Sequence, residues 1–226
     1  MSHAVALFGK APVAGRVKTR LTPPLTPEEA AEIARALLED TLVRFPSRVD
    51  AAWTLFLDGE ADRALQANAA AANVRILPQG SGDLGERLAR AFTRLRDEGS
   101  ERVVAVGSDS PTLDPALIGG GIAALGHADV VLGPAEDGGY YLIGVSAKVD
   151  VSALFRAIPW STPSVARVTA ERATTLGLTV VRLPESYDLD DVETLRRAAT
   201  DPALAECPAL SRVLAKLGTR VLTSPA

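Results

Sequence analysis

Residues 102–111 read Arg-Val-Val-Ala-Val-Gly-Ser-Asp-Ser-Pro. The first part of this stretch is an almost unbroken β-branched run, which predicts a strand buried on both faces, as in the centre of a parallel sheet. The second part is polar and begins with Gly107, so the strand is expected to end there. A buried parallel strand followed at once by a carboxylate, Asp109, is the feature from which both the fold and the site can be predicted.

Short apolar runs alternate with helical patterns on both sides of this strand. Strands are predicted over residues 4–8, 51–57, 74–77, 102–106, 129–132, 140–145 and 178–183. Helices are predicted over residues 27–45, 60–72, 84–95, 115–125, 163–176, 191–199 and 209–217. Thr26 and Glu29 form a capping-box pattern, Thr162 is the expected cap of the 163–176 helix, and Gly177 is its expected stop. The alternation predicts an α/β fold, a Rossmann-like three-layer sandwich with a mostly parallel central sheet, as one domain over residues 1–220 with a tail at 221–226.

The composition excludes several classes of function. The 226 residues carry a net charge of −4, which argues against a broad nucleic-acid surface. One cysteine, Cys207, and two histidines, His3 and His127, leave no disulfide framework, His/Cys zinc site or Ser-His-Asp triad. The sequence shows no secretory signal pattern and no apolar run of roughly 20 residues. We therefore expect a cytoplasmic protein without nucleic-acid or membrane partners.

A basic loop follows the first predicted strand. Residues 9–21 contain Lys10, Arg16, Lys18 and Arg20, together with Gly15, which allows a ligand to approach the backbone closely. Ligands bind at the carboxyl ends of the strands in such sheets, so this position indicates a phosphate site. The alternative is a solvated surface loop, which a charge run alone would favour. The loop has neither the P-loop pattern nor the dinucleotide-binding Gly-x-Gly-x-x-Gly pattern.

Four motifs together resemble a known superfamily. They are Lys10-x-Pro12 followed by Lys18-Thr-Arg-Leu21, Gly82-Asp-Leu-Gly-Glu-Arg87, Gly107-Ser-Asp-Ser-Pro111 and Asp137-Gly-Gly-Tyr-Tyr-Leu-Ile-Gly144. Over residues 5–195 the chain resembles the nucleotide-diphospho-sugar transferases of glycosyltransferase-A fold. It is similar to 2-phospholactate and molybdenum-cofactor guanylyltransferases, and to a bacterial glycosyltransferase-like family.

The resemblance implies a divalent metal, Mg²⁺ or Mn²⁺, held by Asp109 and by a later carboxylate, Asp190 or, less well matched, Asp188. Mg²⁺ commonly uses one or two carboxylates together with phosphate oxygens, which agrees with this assignment. At the position of Asp109 the sequence has a single Asp and not a full Asp-x-Asp. The alternatives are that Asp109 only forms a turn, and that Asp190 caps the following helix with Glu193 completing a capping box.

The remaining loops are expected to contact the rest of the substrate. The resemblance assigns the nucleobase side to Gln79, Gly82, Asp83 and Arg87, although Asp83 also fits a helix cap with Glu86. It assigns the acceptor or sugar side to Gly138, Gly139 and Tyr140, where a tight turn is the alternative. Trp160 is expected either as an aromatic wall of the pocket or as a buried structural residue.

The predicted function is a metal-dependent transferase that acts on a nucleotide or nucleotide-sugar and a small-molecule acceptor, with a homodimer as one expected assembly. In nucleotidyl transfer, Lys18 and Arg16 would stabilise charge as pyrophosphate leaves. In glycosyl transfer, Asp137 would be the candidate base for an acceptor hydroxyl. The residues leave these two reactions open, and a non-catalytic nucleotide-binding module is the alternative of a different class.

Overall fold

A single seven-stranded sheet organises the computed structural model, which describes residues 2–218. The strands are β1 (His3–Lys10), β2 (Ala52–Asp58), β3 (Arg75–Pro78), β4 (Arg102–Gly107), β5 (Val130–Pro134), β6 (Tyr140–Ser146) and β7 (Val180–Arg182). Their order is β3-β2-β1-β4-β6-β5-β7. Strand β6 runs antiparallel to β4 and β5, and the other neighbouring strands are parallel. The predicted α/β, mostly parallel architecture is confirmed, with β4 at the middle of the sheet.

Eight α-helices lie in the described part of the chain. They are α1 (Pro27–Arg44), α2 (Arg63–Ala71), α3 (Leu84–Asp97), α4 (Pro115–Ala124), α5 (Val151–Leu154), α6 (Val165–Thr175), α7 (Val192–Thr200) and α8 (Pro208–Leu217), with short 3-10 helices at Thr19–Leu21 and Pro202–Glu206. None of the helices among residues 2–218 is both long enough and apolar enough to cross a membrane. The capping box predicted for α1 is present, since the Thr26 side chain accepts the Glu29 N–H and the Glu29 side chain accepts the Thr26 N–H.

Two apolar layers enclose the sheet because its central strands are buried on both faces. Val104 and Val106 of β4 face a cluster that includes residues of α1, α2 and α4. Val103 and Ala105 face the opposite cluster, formed with α3, α5 and α6. This alternation is what the β-branched run of β4 predicts, and it produces the three-layer sandwich.

A further layer of helices packs on the outside of α1. Helices α7 and α8 contribute Leu195, Leu210 and Leu214 to a third cluster, which also contains Ile33 and Leu37 of α1. The buried carboxylate of Asp40 joins α8 to α1. Asp40 of α1 accepts the N–H of Ala209 at 2.9 Å and that of Leu210 at 2.8 Å, and so caps the start of α8. The single cysteine, Cys207, is fully buried just before α8.

Several predicted boundaries are wrong, for local reasons. Helix α2 begins at Arg63 and not at residue 60, because Asp62 is its cap and accepts the N–H of Leu65. Helix α6 begins at Val165 after Ser164, so Thr162 is not its cap, although Gly177 does follow its end with φ 72°. The last strand has only the three residues Val180–Arg182, and α5 was not predicted. The predicted tail, residues 221–226, lies outside the described residues.

Candidate active site

A cleft of about 750 Å³ lies at the carboxyl ends of β1, β3 and β4, beside the start of β6. It lies where the topology predicts ligand binding, because the parallel strands direct the loops that follow them to this edge. The cleft brings together thirteen of the predicted site residues. They are Lys10, Arg16, Lys18, Arg20, Gln79, Gly82, Asp83, Arg87, Asp109, Tyr140, Trp160, Asp188 and Asp190.

The other four predicted residues, Gly15, Asp137, Gly138 and Gly139, are not among the residues that line the cleft. Asp137 is exposed, and its Oδ1 accepts the N–H of Gly139 at 2.8 Å within the turn between β5 and β6. Gly138 has φ 86°, and a Cβ added there would collide with the backbone carbonyl of Pro163. Packing of this turn against Pro163 therefore explains Gly138 without a substrate.

Lys18 lies between two carboxylates at the centre of the cleft. Its Nζ is 2.7 Å from Asp109 Oδ1 and 2.9 Å from Asp190 Oδ1. The lysine side chain is 5% exposed, whereas the two carboxylates are 48% and 47% exposed. Burial alone would lower the pKa of Lys18, but the charges of Asp109 and Asp190 and the hydrogen bonds to them outweigh it and raise this pKa. Lys18 is therefore a charged ammonium that both acids neutralise.

A short backbone connection brings the two acids together. Asp109 follows β4, and the N–H of Leu189 donates to the Asp109 carbonyl oxygen at 2.9 Å. The alternative that Asp190 caps α7 with Glu193 is wrong, because Asp191 is the cap and completes a capping box with Thr194. The side chain of Asp190 is thus free of the capping role and contacts Lys18.

A third carboxylate, Asp188, lies beside this pair. The Ser110 hydroxyl donates a short hydrogen bond to Asp188 Oδ1. Burial raises the pKa of Asp188 to about 6, with further contributions from the negative charges of Asp109 and Asp137. Ser110 was not predicted as a site residue, although its place in the Gly-Ser-Asp-Ser-Pro motif was a usable signal.

The carboxylate pair fits a hard divalent cation. Asp109 and Asp190 already share one cation, the Lys18 ammonium, and their oxygen donors suit Mg²⁺ or Mn²⁺. Over residues 2–218 no cluster of three or more His, Cys, Asp or Glu side chains has the geometry of a metal site. A metal held by Asp109 and Asp190 would need further ligands, and phosphate oxygens and water are those that Mg²⁺ commonly uses.

Three cations at the mouth of the cleft contrast with Lys18. Lys10, Arg16 and Arg20 are exposed and line the cleft. Within the part of the chain that the structure describes, the side chains of Lys10 and Arg16 have no hydrogen-bond or ion-pair partner. A hydrogen bond from the Thr194 backbone is the main cause that lowers the pKa of Asp191. The positive charge of Arg20 lowers this pKa further.

Arg87 and Gln79 are already engaged with the protein. Gln79 is buried, and its Nε2 donates to the carbonyl oxygens of Gly9 at 2.9 Å and Phe56 at 3.1 Å. Arg87 donates to Gln79 Oε1 at 3.1 Å and to Asp58 Oδ2 at 3.0 Å. These bonds hold the ends of the first three strands together, a structural role that the sequence did not reveal.

The start of α3 forms the side of the cleft beyond Gln79. Asp83 and Glu86 form a complete capping box, so the helix-cap alternative for Asp83 is confirmed. Gly82 has φ 95°, which favours glycine there.

Two aromatic rings form the other wall of the cleft. Tyr140 and Trp160 meet edge to face with ring centroids 6.4 Å apart. Trp160 also packs against Phe155, with centroids 6.3 Å apart, and a Cβ added to Gly85 would lie 2.8 Å from its ring. Trp160 is therefore both a cleft-lining residue and a packed structural one.

Arg44 holds the loop after β4 through hydrogen bonds to its backbone. Its buried guanidinium donates through Nη1 to the carbonyl oxygens of Pro111 at 2.7 Å and Leu113 at 2.5 Å, and through Nε to Glu206 at 2.8 Å. No sequence pattern indicates this role, since Arg44 is simply a basic residue in the last turn of α1. Its effect is to fix the loop that carries Asp109.

Comparison with known proteins adds a family and a fold. The model of a family described as "Uncharacterized protein conserved in bacteria (DUF2064)" matches residues 25–162. A sequence comparison with curated proteins gives no match.

Solved structures extend this likeness over nearly the whole chain. A Desulfovibrio desulfuricans protein described as a candidate nucleotide-diphospho-sugar transferase is 30% identical, with a TM-score of 0.84 over 98% of this chain and 97% of that one. A cytidylyltransferase from Leptospira borgpetersenii is 13% identical (TM-score 0.57, over 100% and 99%). Glucosyl-3-phosphoglycerate synthase from Mycobacterium tuberculosis, solved with Mn²⁺, uridine diphosphate and glucosyl-3-phosphoglycerate, is 15% identical (TM-score 0.51, over 92% and 80%). At these lower identities the last two show the fold alone.

Proposed function

The chain belongs to the bacterial family DUF2064 and to the wider nucleotide-diphospho-sugar transferase superfamily, and on this basis we propose that it is a metal-dependent transferase acting on a nucleotide or nucleotide-sugar. One observation carries the proposal. The cleft has a carboxylate pair, Asp109 and Asp190, at its centre, and at its mouth two cations, Lys10 and Arg16, whose side chains have no partner within residues 2–218. A phosphate chain with a bound divalent cation complements both parts.

In this proposal Asp109 and Asp190 hold Mg²⁺ or Mn²⁺ together with phosphate oxygens of the substrate. The ion, when bound, supplies positive charge that offsets the charge developing on the phosphate chain during transfer. Asp188, held by Ser110, lies next to the pair and adds negative charge on the protein side. The Mn²⁺ bound to the M. tuberculosis synthase of the same fold supports the use of such an ion.

Lys10, Arg16 and Arg20 bind the phosphate chain in this proposal. Arginine forks match phosphate oxygens in pairs, and a lysine ammonium adds a mobile point charge. Because the side chains of Lys10 and Arg16 have no partner among the described residues, they can bind an anion without first breaking an internal ion pair. Their contribution to catalysis is positioning and electrostatic stabilisation.

The nucleoside and the acceptor are assigned to the two ends of the cleft. The loop that contains Gly82 and Asp83, which borders the cleft before α3, is the proposed nucleobase side. Tyr140 and Trp160 form the proposed acceptor or sugar side, since an aromatic face suits a sugar ring. Gly138 and Gly139 stay predictions on that side, and the proposed acceptor is a small molecule.

Nucleotidyl transfer is the reaction that the charges favour. Three cations at the mouth of the cleft suit the high charge of a nucleoside triphosphate, from which pyrophosphate leaves as an acceptor oxygen attacks the α-phosphorus. Glycosyl transfer is the second candidate, and the aromatic wall and the description of the Desulfovibrio protein support it. Asp137, exposed at the β5–β6 turn, is the candidate base for that reaction.

Two panels of substrates distinguish these reactions. Purified protein with Mg²⁺ or Mn²⁺ is given nucleoside triphosphates with phosphorylated acceptors, and pyrophosphate is measured. A second panel contains nucleotide-sugars with hydroxyl acceptors, and released nucleoside diphosphate is measured. Pyrophosphate release that depends on an acceptor supports nucleotidyl transfer, whereas nucleoside diphosphate release supports glycosyl transfer.

If neither panel yields product although the protein binds nucleotide, the result would instead support a non-catalytic nucleotide-binding module. Activity that survives both chelation by EDTA and the substitution Asp109→Asn would contradict the metal-dependent proposal. A homodimer and a cytoplasmic location stay predictions from the sequence, and sedimentation of the purified protein tests the first.

A further inference from the structure

Lys18 lies between the two carboxylates that would bind a divalent cation in the proposed function. Its Nζ contacts Oδ1 of both Asp109 and Asp190, the two carboxylates of the proposed metal site. Metal ions bind carboxylate oxygens directly, so the ammonium and the metal compete for the same oxygens. We propose that Lys18 is a resident cation that a divalent metal must displace, so that the free protein binds metal weakly. This inference rests on the proposed function, because it takes Asp109 and Asp190 as the metal ligands.

The fold holds Lys18 in this position from the backbone. Lys18 has left-handed backbone angles, φ 48° and ψ 38°, which are uncommon for a residue other than glycine. Its carbonyl oxygen accepts the N–H of Leu21 at 2.9 Å, and the side chains of Val17 and Leu21 are buried on either side. An anchored loop thus places the Lys18 ammonium against the carboxylates, whereas the side chains of Lys10, at the end of β1, and Arg16 are exposed.

The charges favour exchange over addition. One ammonium facing two carboxylates leaves one negative charge. A divalent ion added without loss of Lys18 would place three positive charges against the two carboxylates that contact Lys18, since the third acid, Asp188, is bonded to Ser110 and not to Lys18. Repulsion between the ammonium and the metal is stronger in a partly buried site than in bulk water. If Lys18 leaves, the divalent ion and the two carboxylates balance.

A phosphate chain bound in the cleft would be a new partner for the displaced Lys18 ammonium. Lys10 and Arg16 mark a wall at which an anion is expected, and Lys18 belongs to the same loop. A phosphate chain bound there would accept the Lys18 ammonium at the moment when the metal takes the carboxylates. Metal and phosphate chain would then bind with positive coupling, and this coupling is equal in both directions.

Titration of the nucleotide-free protein with Mn²⁺ tests the proposal without any assay of activity. The electron paramagnetic resonance signal of free Mn²⁺ reports how much ion is bound. Lys18→Met removes the competing charge, and we expect it to bind Mn²⁺ about fivefold or more tightly than the wild type. Lys18→Arg keeps the charge and should bind as weakly as the wild type. Lys10→Met is the matched control for loss of one exposed charge in the cleft, and should change the affinity by less than about twofold.

The outcomes separate this inference from the proposed function. If Lys18→Met binds Mn²⁺ no more tightly than the wild type, the metal does not displace Lys18 and this inference is wrong. This holds even if Asp109→Asn weakens Mn²⁺ binding and so supports the metal site. If adding Asp109→Asn to Lys18→Met leaves the Mn²⁺ affinity unchanged, Asp109 is not a metal ligand. That result would contradict both the proposed function and this inference. Circular dichroism and thermal unfolding check that the variants are folded, and Lys18→Gln replaces the Met variant if that one unfolds.

Discussion

The backbone N–H of Leu189 donates a hydrogen bond of 2.9 Å to the carbonyl oxygen of Asp109. This bond joins the loop after β4 to the segment between β7 and α7, two parts of the chain that are far apart in sequence. Leu189 itself is fully buried in the apolar cluster that also contains residues of α1, α7 and α8, so this connection is anchored. The relative position of Asp109 and Asp190 therefore depends on packing of the outer helical layer as well as on the sheet.

Removal of either carboxylate of the pair should abolish activity and leave the fold intact. We expect Asp109→Asn and Asp190→Asn each to lower kcat/KM by roughly a hundredfold or more in whichever assay detects turnover. Each variant removes one charged partner of the buried Lys18 ammonium and leaves the other, so the free energy of unfolding should fall by about 1–3 kcal/mol. Asp50→Asn, at an exposed acid before β2, is the control. Full activity in Asp109→Asn would contradict the proposed site.

Arg16 should contribute to binding of the phosphate chain and little to stability. A hydrogen bond to a charged group contributes about 1.5–3 kcal/mol, so Arg16→Met should raise the KM or Kd for the nucleotide by roughly ten- to a hundredfold. Its melting temperature should match that of the wild type, because the side chain has no protein partner among the described residues. Arg63→Met, on the exposed surface of α2, removes the same charge elsewhere and should leave the affinity unchanged. Equal losses in the two variants would point to a general charge effect.

The Asp40 carboxylate should stabilise the outer helical layer. Each of its oxygens accepts one backbone N–H at the start of α8. In Asp40→Asn one oxygen becomes an NH2 group that faces a donor, so the free energy of unfolding should fall by about 1–3 kcal/mol. Urea denaturation measures this, with Glu39→Gln on the same helix as the control. A loss no larger than that of the control would show that the cap contributes nothing.

Glu98 should make stability depend on pH in the acid range. Hydrogen bonds from Arg75, and then from Arg94, lower the pKa of Glu98 from 4.5 to about 2. A folded-state pKa below the unfolded one means that the stabilisation is present above about pH 4.5 and is lost as the pH falls towards 2. The difference in stability between wild type and Glu98→Gln should thus shrink over this window. Urea denaturation at several pH values measures it, with Glu171→Gln, at the exposed ion pair with Arg167, as the comparison.

Gly85 should be required for the position of Trp160. A Cβ at Gly85 would lie 2.8 Å from the Trp160 ring and 3.0 Å from the Phe155 carbonyl oxygen. Gly85→Ala should therefore destabilise the protein by about 1–3 kcal/mol and shift the tryptophan emission, measured in a Trp53→Phe background. Gly120→Ala is the matched control in α4, where a Cβ meets nothing within 4 Å. It should stabilise the protein by about 0.4–1 kcal/mol. An unchanged emission spectrum in Gly85→Ala would refute the contact.

Much of the fold follows from local sequence. The β-branched run of β4 and the capping boxes of α1 and α3 are signals contained within a few residues, and the structure has each of them. The placement of Asp109 at the ligand-binding edge follows from the parallel topology alone. By contrast, Asp190 and Asp191 are adjacent acids that both fit a cap pattern, and only the register of α7 makes Asp191 the cap.

The contact between Lys18 and Asp190 is a long-range one that no sequence pattern shows. A basic loop suggests four free cations, yet one of them pairs with two acids from other loops. Gly138 was assigned to substrate approach, whereas the Pro163 carbonyl is what excludes a side chain there. In both cases the deciding neighbour comes from a distant part of the chain.

The burial of Cys207 has a practical consequence for labelling. The chain has one cysteine, and burial first of all raises the pKa of its thiol to about 11, so very little reactive thiolate exists at neutral pH. A cysteine introduced at an exposed position should therefore react selectively with maleimide reagents, with no native thiol to remove first. Val13, 47% exposed in the basic loop, is a suitable position, and a fluorophore there would report whether that loop moves when a phosphate chain binds.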